Sequence, residues 1–397
     1  MVGGSSDVAE VRHGATRNLV LATAAFAIAF SAWGLIAPLA KRFQDDLGLS
    51  NTSTLLLTAT PVVLGALLRI PFGALADRYG GRRVFTLVLL GAALPTVLFG
   101  FVDSYAGLIA VGFCLGVAGA SFAVGVPFVA GWFPSERQGF AIGVYGMGNI
   151  GTAVAAFSAP AIVTHLGRPT LGIAAGLVLV GFAALFYRLA EDPARGGPAP
   201  RYADVLRSGW RLFRLALLYF VTFGGFVAMA IFLPKLLQDW FDRSLTDAGL
   251  RAAGFTVVAT VGRPVGGWLA DRVGASLVLV VAFVGIAVDA GVLAAVSGDP
   301  AIEPVTVACL TAAAFFGTGS GAVFKLVPHE FPDSTGAATG IVGAAGGLGG
   351  FFPPIVMGLV KDHSGTYTLG FLGLLAFCIA CAVVTARMWR QGEVRPA

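Results

Sequence analysis

The chain has 397 residues, of which 57% are hydrophobic and only 12% charged, with a formal net charge of +5. A soluble domain carries roughly 25% charged residues, so this composition excludes a body solvated by water alone and favours one membrane-embedded unit over several soluble domains. A β-barrel is excluded too, because it is built from short alternating segments rather than long apolar runs.

Twelve apolar stretches long enough to cross a hydrocarbon core as helices follow one another along the chain. They lie near 18–40, 53–75, 83–102, 106–132, 138–163, 170–189, 212–236, 248–270, 275–297, 303–327, 336–360 and 367–388. The first is far longer than the core of a signal peptide, so no cleavable signal is expected. The one long polar connector, EDPARGGPAPRYADVLRSGWR at 191–211, separates the sixth stretch from the seventh. This predicts an N-terminal six-helix bundle over 1–190, a cytoplasmic linker over 191–211 and a C-terminal six-helix bundle over 212–397. With the N-terminus inside, the inner side collects Arg12, Arg17, Arg78, Arg82, Arg83, Arg137, Arg272, the connector arginines (Arg195 and Arg201 among them) and Arg387, Arg390 and Arg395. The outer loops hold fewer: Lys41, Arg42, Arg168, Lys235, Arg243, Arg251 and Lys361. That bias predicts a multi-pass protein of the cell membrane with both termini cytoplasmic. It also accounts for the positive charge without a nucleic-acid partner.

Cys114, Cys309, Cys378 and Cys381 all fall inside apolar stretches. Cys378 and Cys381 have CxxC spacing but no His or carboxylate nearby, so they read as small packing residues rather than metal or redox ligands. The four histidines, His13, His165, His329 and His363, fall in loops or at helix ends, where they cannot converge on an intramembrane catalytic site. Neither a cofactor nor a metal is predicted, and no soluble output domain of a sensor is present.

The two halves repeat one another. RIPFGALADRYG (69–80) aligns with RPVGGWLADRVG (263–274), and GWFPSERQGFAIG (131–143) echoes HEFPDSTGAATG (329–340). Parallel repeats of six spans suit a carrier whose halves rock about a central site. Asp77 and Arg78, with their counterparts Asp271 and Arg272, sit at the cytoplasmic helix ends, where they can form ion pairs that open and close with that motion. A plain topology signal and tight turn fit the same residues. The first copy, GALADRYGGRR, resembles the signature loop of the major facilitator superfamily.

Arg69 and Arg263 each lie two turns before the repeated Asp, well inside their helices, where an unpaired cation costs about 2.5–3.5 kcal/mol or more. No acid occupies the same spans at comparable depth. Pseudosymmetry aims the two at one cavity from opposite sides, as an anion clamp; bonding to carbonyls is the other reading. Glycine-dense stretches, GVYGMGNIGTAVAAFSAP (143–160) and GIVGAAGGLGGFFPPIVMG (340–358), flank that cavity. Each Gly costs roughly 0.8–1.0 kcal/mol of helix propensity. Close helix packing is the direct explanation, and a backbone brought near a small ligand is compatible with it.

Together these features resemble the nitrate/nitrite porter family, whose signature motifs are glycine-rich fifth and eleventh helices. Here the signature glycines are Gly143, Gly146, Gly148 and Gly151, and Gly346, Gly347, Gly349 and Gly350. The resemblance implies a planar anion held between two arginines, Arg69 and Arg263, with aromatic rings on its two faces. It nominates Phe122 in AGASF and Phe324 in GSGAVFK as those rings, Tyr219 in LLYFVTFGGF as a hydroxyl donor and Asn149 as the polar residue of the fifth helix. Lys325, next to Phe324, would add a third positive charge near the slot. Ser121 stands where Asn is common in the family, and Ala155–Ala156 replace a bulkier polar stretch, which leaves the anion class intact but the subtype open. A rigid guanidinium fork suits a flat, weakly hydrated anion better than an ammonium does.

The expected partners are nitrate, nitrite and membrane lipid, acting on a monomer. Another small monovalent anion (formate, cyanate or a monocarboxylate) stays open as an alternative substrate. Residue content favours nitrate/nitrite exchange, because Asp289 is the only acid read as deeply buried and lies in the ninth span, outside its bundle. Proton symport, through Asp289 or Lys325, remains the other mechanism.

Overall fold

A computed structural model describes residues 14–193 and 202–390. Arg12, His13, Arg195, Arg201, Arg395 and the centre of the 191–211 connector lie outside the described residues. Twelve long helical passages run through the described residues, beside the short helices Ala40–Leu47 and Tyr202–Arg207. The first six are α1 (Ala15–Trp33), α2 (Asn51–Tyr79), α3 (Gly81–Phe99), α4 (Tyr105–Ala130), α5 (Ser135–Leu166) and α6 (Arg168–Leu189). The last six are α7 (Trp210–Phe241), α8 (Leu245–Val273), α9 (Ala275–Ala295), α10 (Ile302–Glu330), α11 (Thr335–Ser364) and α12 (Thr368–Arg390). Among the described residues there is no strand.

Eleven of the passages are long and apolar enough to cross a membrane. The exception is α8, as long as α2, whose hydropathy is diluted by Gly254, Gly262, Arg263, Pro264, Gly266 and Gly267. Leu94, Leu177, Val288 and Leu369 stand exposed around the outside. An apolar belt of this extent has lipid as its solvent.

The repeat seen in the sequence is physical. Ser50 and Ser244 cap α2 and α8, their side-chain oxygens accepting the Ser53 and Asp247 amides at 3.1 and 3.2 Å. Both helices run 29 residues and stop at a glycine with positive φ, Gly80 at 93° and Gly274 at 87°. A side chain is disfavoured at such a φ, so the LADR segments end in obligatory turns.

The halves meet crosswise, α2 against α11 and α5 against α8. A Cβ at Gly73 would lie 2.2 Å from the Gly336 carbonyl oxygen, and one at Gly267 would lie 1.9 Å from that of Gly139. Glycine on both partners is what allows this approach. At the LADR end, Asp77 accepts the Gly336 and Ala337 amides of α11 at 3.0 and 2.9 Å. Asp271 accepts the Gly139 and Phe140 amides of α5 at 3.1 and 2.8 Å. Each aspartate thus sits in the first turns of a helix from the other half, where the helix dipole favours negative charge. The same end carries the start of α1 and the end of α6, joined by Arg17 to Glu191 at 2.6 Å.

Glu330, at the end of α10, is buried and paired with Arg214 at 2.9 Å. Asp289 is therefore not the only buried acid. A helix-end carboxylate normally reaches water, but here α7 covers Glu330.

Candidate anion site

Three passages break their regular winding at one level of the bundle. α4 tightens to a 3-10 turn over Gly116–Ala120, α5 does so over Met147–Asn149, and α7 widens to a π turn over Phe220–Gly224. Such breaks free backbone groups and re-aim side chains, and they concentrate at functional sites.

Arg69 and Arg263 meet at this level from α2 and α8, 5% and 3% exposed, so neither membrane face opens widely onto them. The Arg69 guanidinium carbon lies 5.6 Å from the Phe122 ring centre and 5.4 Å from that of Phe223. The Arg263 carbon lies 5.2 and 5.4 Å from the same two centres. Both cations therefore bracket one pair of rings. That pair is parallel, with centres 6.3 Å apart and planes 7° from parallel. Tyr219 is stacked with Phe223, 4.9 Å away and 1° from parallel, Phe223 lying within the π turn. The three parallel rings bound a flat slot, with Phe122 across from the stacked pair, 6.1 Å from Tyr219 and 6.3 Å from Phe223 between ring centres.

The donors are arranged unequally. Arg263 Nη2 donates to the Tyr219 hydroxyl at 3.1 Å, while its Nε and Nη1 are buried without a partner. Asn149 Nδ2 is likewise buried and unpartnered. Arg69 donates through Nε to the Gly119 carbonyl at 3.1 Å and through Nη1 to the Gly343 carbonyl at 2.5 Å. Arg69 thus follows the other reading, bonding to carbonyls that the 3-10 turn of α4 and the glycine face of α11 supply. Burying two guanidiniums with incompletely satisfied donors is costly unless an anion completes them.

Two further expectations change. Phe324 stands at 84° to Phe122 and 89° to Tyr219, so it closes an edge of the slot instead of forming a face. The opposing face is Phe223, which the motifs did not nominate; its spacing of four from Tyr219 on one helix was the available signal. Lys325 does not enter the slot. Successive residues on a helix diverge by about 100°, and with Phe324 turned inward, the Lys325 ammonium reaches Asp271 at 2.8 Å and the Ser135 carbonyl.

The signature glycines divide between two faces. Gly143 and Gly146 pack on α8, where a Cβ at Gly146 would meet Arg263 Nε at 2.6 Å; Gly347 faces Ala66 and Arg69 on α2. Gly148 and Gly151 instead abut Phe26 and Ala27 of α1, and Gly346, Gly349 and Gly350 abut Tyr219, Phe220 and Val227 of α7. Of the gating candidates, Asp77 and Asp271 hold the cross-half amides, whereas Arg272 covers Trp268 at 4.2 Å and Arg78 covers Tyr79 at 5.2 Å. Cys309, Cys378 and Cys381 are buried free thiols and Cys114 is exposed, and no metal-binding group occurs among the described residues.

Two six-helix bundles closed crosswise over a buried cationic slot define a membrane carrier, and comparison places it more narrowly. The family model of the Major Facilitator Superfamily matches residues 21–354 and 215–396. The fucose carrier FucP in its outward conformation superposes with a TM-score of 0.73 at 18% identity, covering 93% of this chain and 98% of FucP. The proton:xylose symporter XylE gives 0.75 at 13% identity, covering 95% of each. The "Nitrite extrusion protein" of Bacillus subtilis is 39% identical over 381 residues, 95% of each chain. The "Probable nitrate/nitrite transporter NarK2" of Mycobacterium tuberculosis is 40% identical over 393 residues, 96% of this chain and 98% of its own. The "Probable nitrate transporter NarT" of Staphylococcus epidermidis is 38% identical over 368 residues, 92% and 94% of the two chains. The chain belongs to the major facilitator superfamily and, within it, to the nitrate/nitrite porter family.

Proposed function

We propose that this protein carries nitrate and nitrite across the cytoplasmic membrane by alternating access, exchanging one for the other. The observation that carries this reading is the flat slot: two buried guanidiniums, with unpartnered Arg263 donors, bracketing parallel aromatic rings 6.3 Å apart. A monovalent planar anion answers each feature. Its charge offsets two cations, its oxygens accept from Arg263 and Asn149, and its faces lie against Phe122 and Phe223. Weak hydration makes it inexpensive to strip of water before it enters an apolar-walled site. At an effective dielectric near 20, each cation at about 4 Å contributes on the order of 4 kcal/mol. The names of the close relatives agree with this substrate class.

The carrier works as a monomer whose moving units are 1–190 and 212–397, linked by 191–211, with both termini cytoplasmic. The LADR end is then the cytoplasmic gate. Opening it withdraws Asp77 from α11 and Asp271 from α5, and the bond from Arg69 to Gly343 is the corresponding cross-half contact within the slot. Two like charges repel when nothing lies between them, so closure around a bound anion is favoured over closure around an empty slot.

Reconstitution tests the reading. Purified protein in proteoliposomes loaded with nitrite should take up labelled nitrate saturably, with unlabelled nitrate competing. Saturable formate flux with no nitrate flux would overturn it in favour of another small anion.

A further inference from the structure

Phe122 is held in its orientation by a neighbour on α5. Tyr145, fully buried, lies 6.0 Å from Phe122 at 20° and 5.0 Å from Phe26 at 25°. Its hydroxyl donates to the Ser121 carbonyl at 2.7 Å, one residue before Phe122 and at the point where α4 leaves its 3-10 turn. Room for this comes from Gly125, where a Cβ would lie 2.1 Å from the Tyr145 ring. Tyr145 thus fixes both the ring of Phe122 and the backbone that carries it.

The width of the slot leaves little tolerance. Contact on both faces of an ion one atom thick needs roughly 7 Å between ring planes, more than the 6.3 Å between the ring centres, which is the upper bound on the separation of the two planes. A flat anion enters only as Phe122 shifts slightly, and a bulkier tetrahedral anion demands a larger shift of a ring packed against Tyr145 and Phe26.

We propose that Tyr145 is a positioning residue that sets the width of the slot, and so its preference for flat over tetrahedral monovalent anions. The inference rests on the anion-carrier reading above and deepens it, because it assigns shape selectivity to a residue acting through Phe122. Perchlorate is the suitable probe: like nitrate it is monovalent and weakly hydrated, but it is tetrahedral.

The experiment measures nitrate uptake by proteoliposomes and its inhibition by perchlorate, for the wild type, Tyr145→Phe and Tyr145→Leu. Loss of an aromatic pair should weaken nitrate affinity in Tyr145→Leu by about tenfold, while perchlorate inhibits at lower concentration than in the wild type. Tyr145→Phe keeps the ring and loses only the bond to Ser121, so its nitrate-to-perchlorate ratio should fall by about threefold. A change in that ratio is a readout that general destabilisation does not produce, since destabilisation lowers both affinities together. Unchanged ratios in both folded variants would overturn the proposal. Should Tyr145→Leu fail to fold, an unchanged ratio in Tyr145→Phe overturns it alone. A wild type that neither binds nor moves nitrate would instead sink the underlying carrier reading, so the two failures are distinguishable.

Discussion

Arg69 and Arg263 occupy equivalent places in the repeat, yet their donors go to different partners. Arg69 is anchored on two carbonyls, one of them across the half boundary, whereas Arg263 keeps Nε and Nη1 without a partner. Lysine at either position retains the charge but loses the planar fork. Because a hydrogen bond to a charged group is worth about 1.5–3 kcal/mol, Arg263→Lys should weaken nitrate binding by roughly 10- to 100-fold, measured by calorimetry on the purified protein. Arg69→Lys should weaken binding too and also loosen cross-half closure, since Gly343 loses its donor. Near-wild-type affinity in either lysine variant would remove the clamp from the mechanism. The aromatic residues make a second, separable case. Phe223→Ala removes a face of the slot, and Phe324→Ala only an edge. Phe223→Ala should therefore cost nitrate more affinity and admit bulkier anions more readily, read by competition; the reverse order would reinstate Phe324 as a face. Both arginines, Tyr219 and Phe122 were legible in the sequence because an intramembrane charge and a matched motif stand out against apolar background. Phe223 was not, since a phenylalanine in an apolar helix looks like packing until its orientation is known.

At the scale of elements, the two cross-half latches share a plan. Asp77 and Asp271 each accept two amides from a helix of the opposite half, but only Asp271 is also paired with Lys325. Lys325 belongs to the same half as Asp271, so the pair can persist when α5 withdraws, and Asp271 then need not be left without a countercharge in the open state. Lys325→Met should consequently leave nitrate affinity within about threefold of wild type, a difference below 1 kcal/mol, while changing turnover several-fold. Measuring Kd and kcat on the same preparation checks this. A large loss of affinity with unchanged turnover would return Lys325 to the substrate site. The glycine faces support the same motion. With 1.9 Å between a Gly267 Cβ and the Gly139 carbonyl oxygen, Gly267→Ala should hold the LADR end open. The helices, the repeat and the LADR turns were readable from apolar run length and fixed offsets. The 3-10 and π turns were not: they depend on which neighbour claims each freed carbonyl, as Arg69 claims that of Gly119, and such pairing has no local sequence code.

The whole molecule decides whether protons take part. The hydrogen-bond partners of Arg69 and Arg263 among the described residues are the Gly119 and Gly343 carbonyls and the Tyr219 hydroxyl, none of them a carboxylate. The buried carboxylates lie elsewhere. Asp289 accepts from Thr311 at 2.8 Å between α9 and α10, and Glu330 is held by Arg214 at the LADR end. A proton-coupled carrier needs a group whose protonation changes as access alternates, and neither carboxylate contacts the slot. Lys325, the other candidate, is committed to Asp271. With no such group at the slot, and with two cations that close more readily around an anion than around nothing, the carrier should cross the membrane mainly when loaded, and loading from the far side requires a second anion. Vesicles containing nitrite should therefore take up nitrate, whereas vesicles without a substrate anion inside should accumulate little, even with an inward proton gradient. Asp289→Asn should leave the exchange rate within about twofold of wild type, since the hydrogen bond to Thr311 has a neutral equivalent in the amide. Uphill nitrate accumulation driven by the proton gradient alone, abolished in Asp289→Asn, would overturn exchange and make α9 a proton path coupled to the slot through α10.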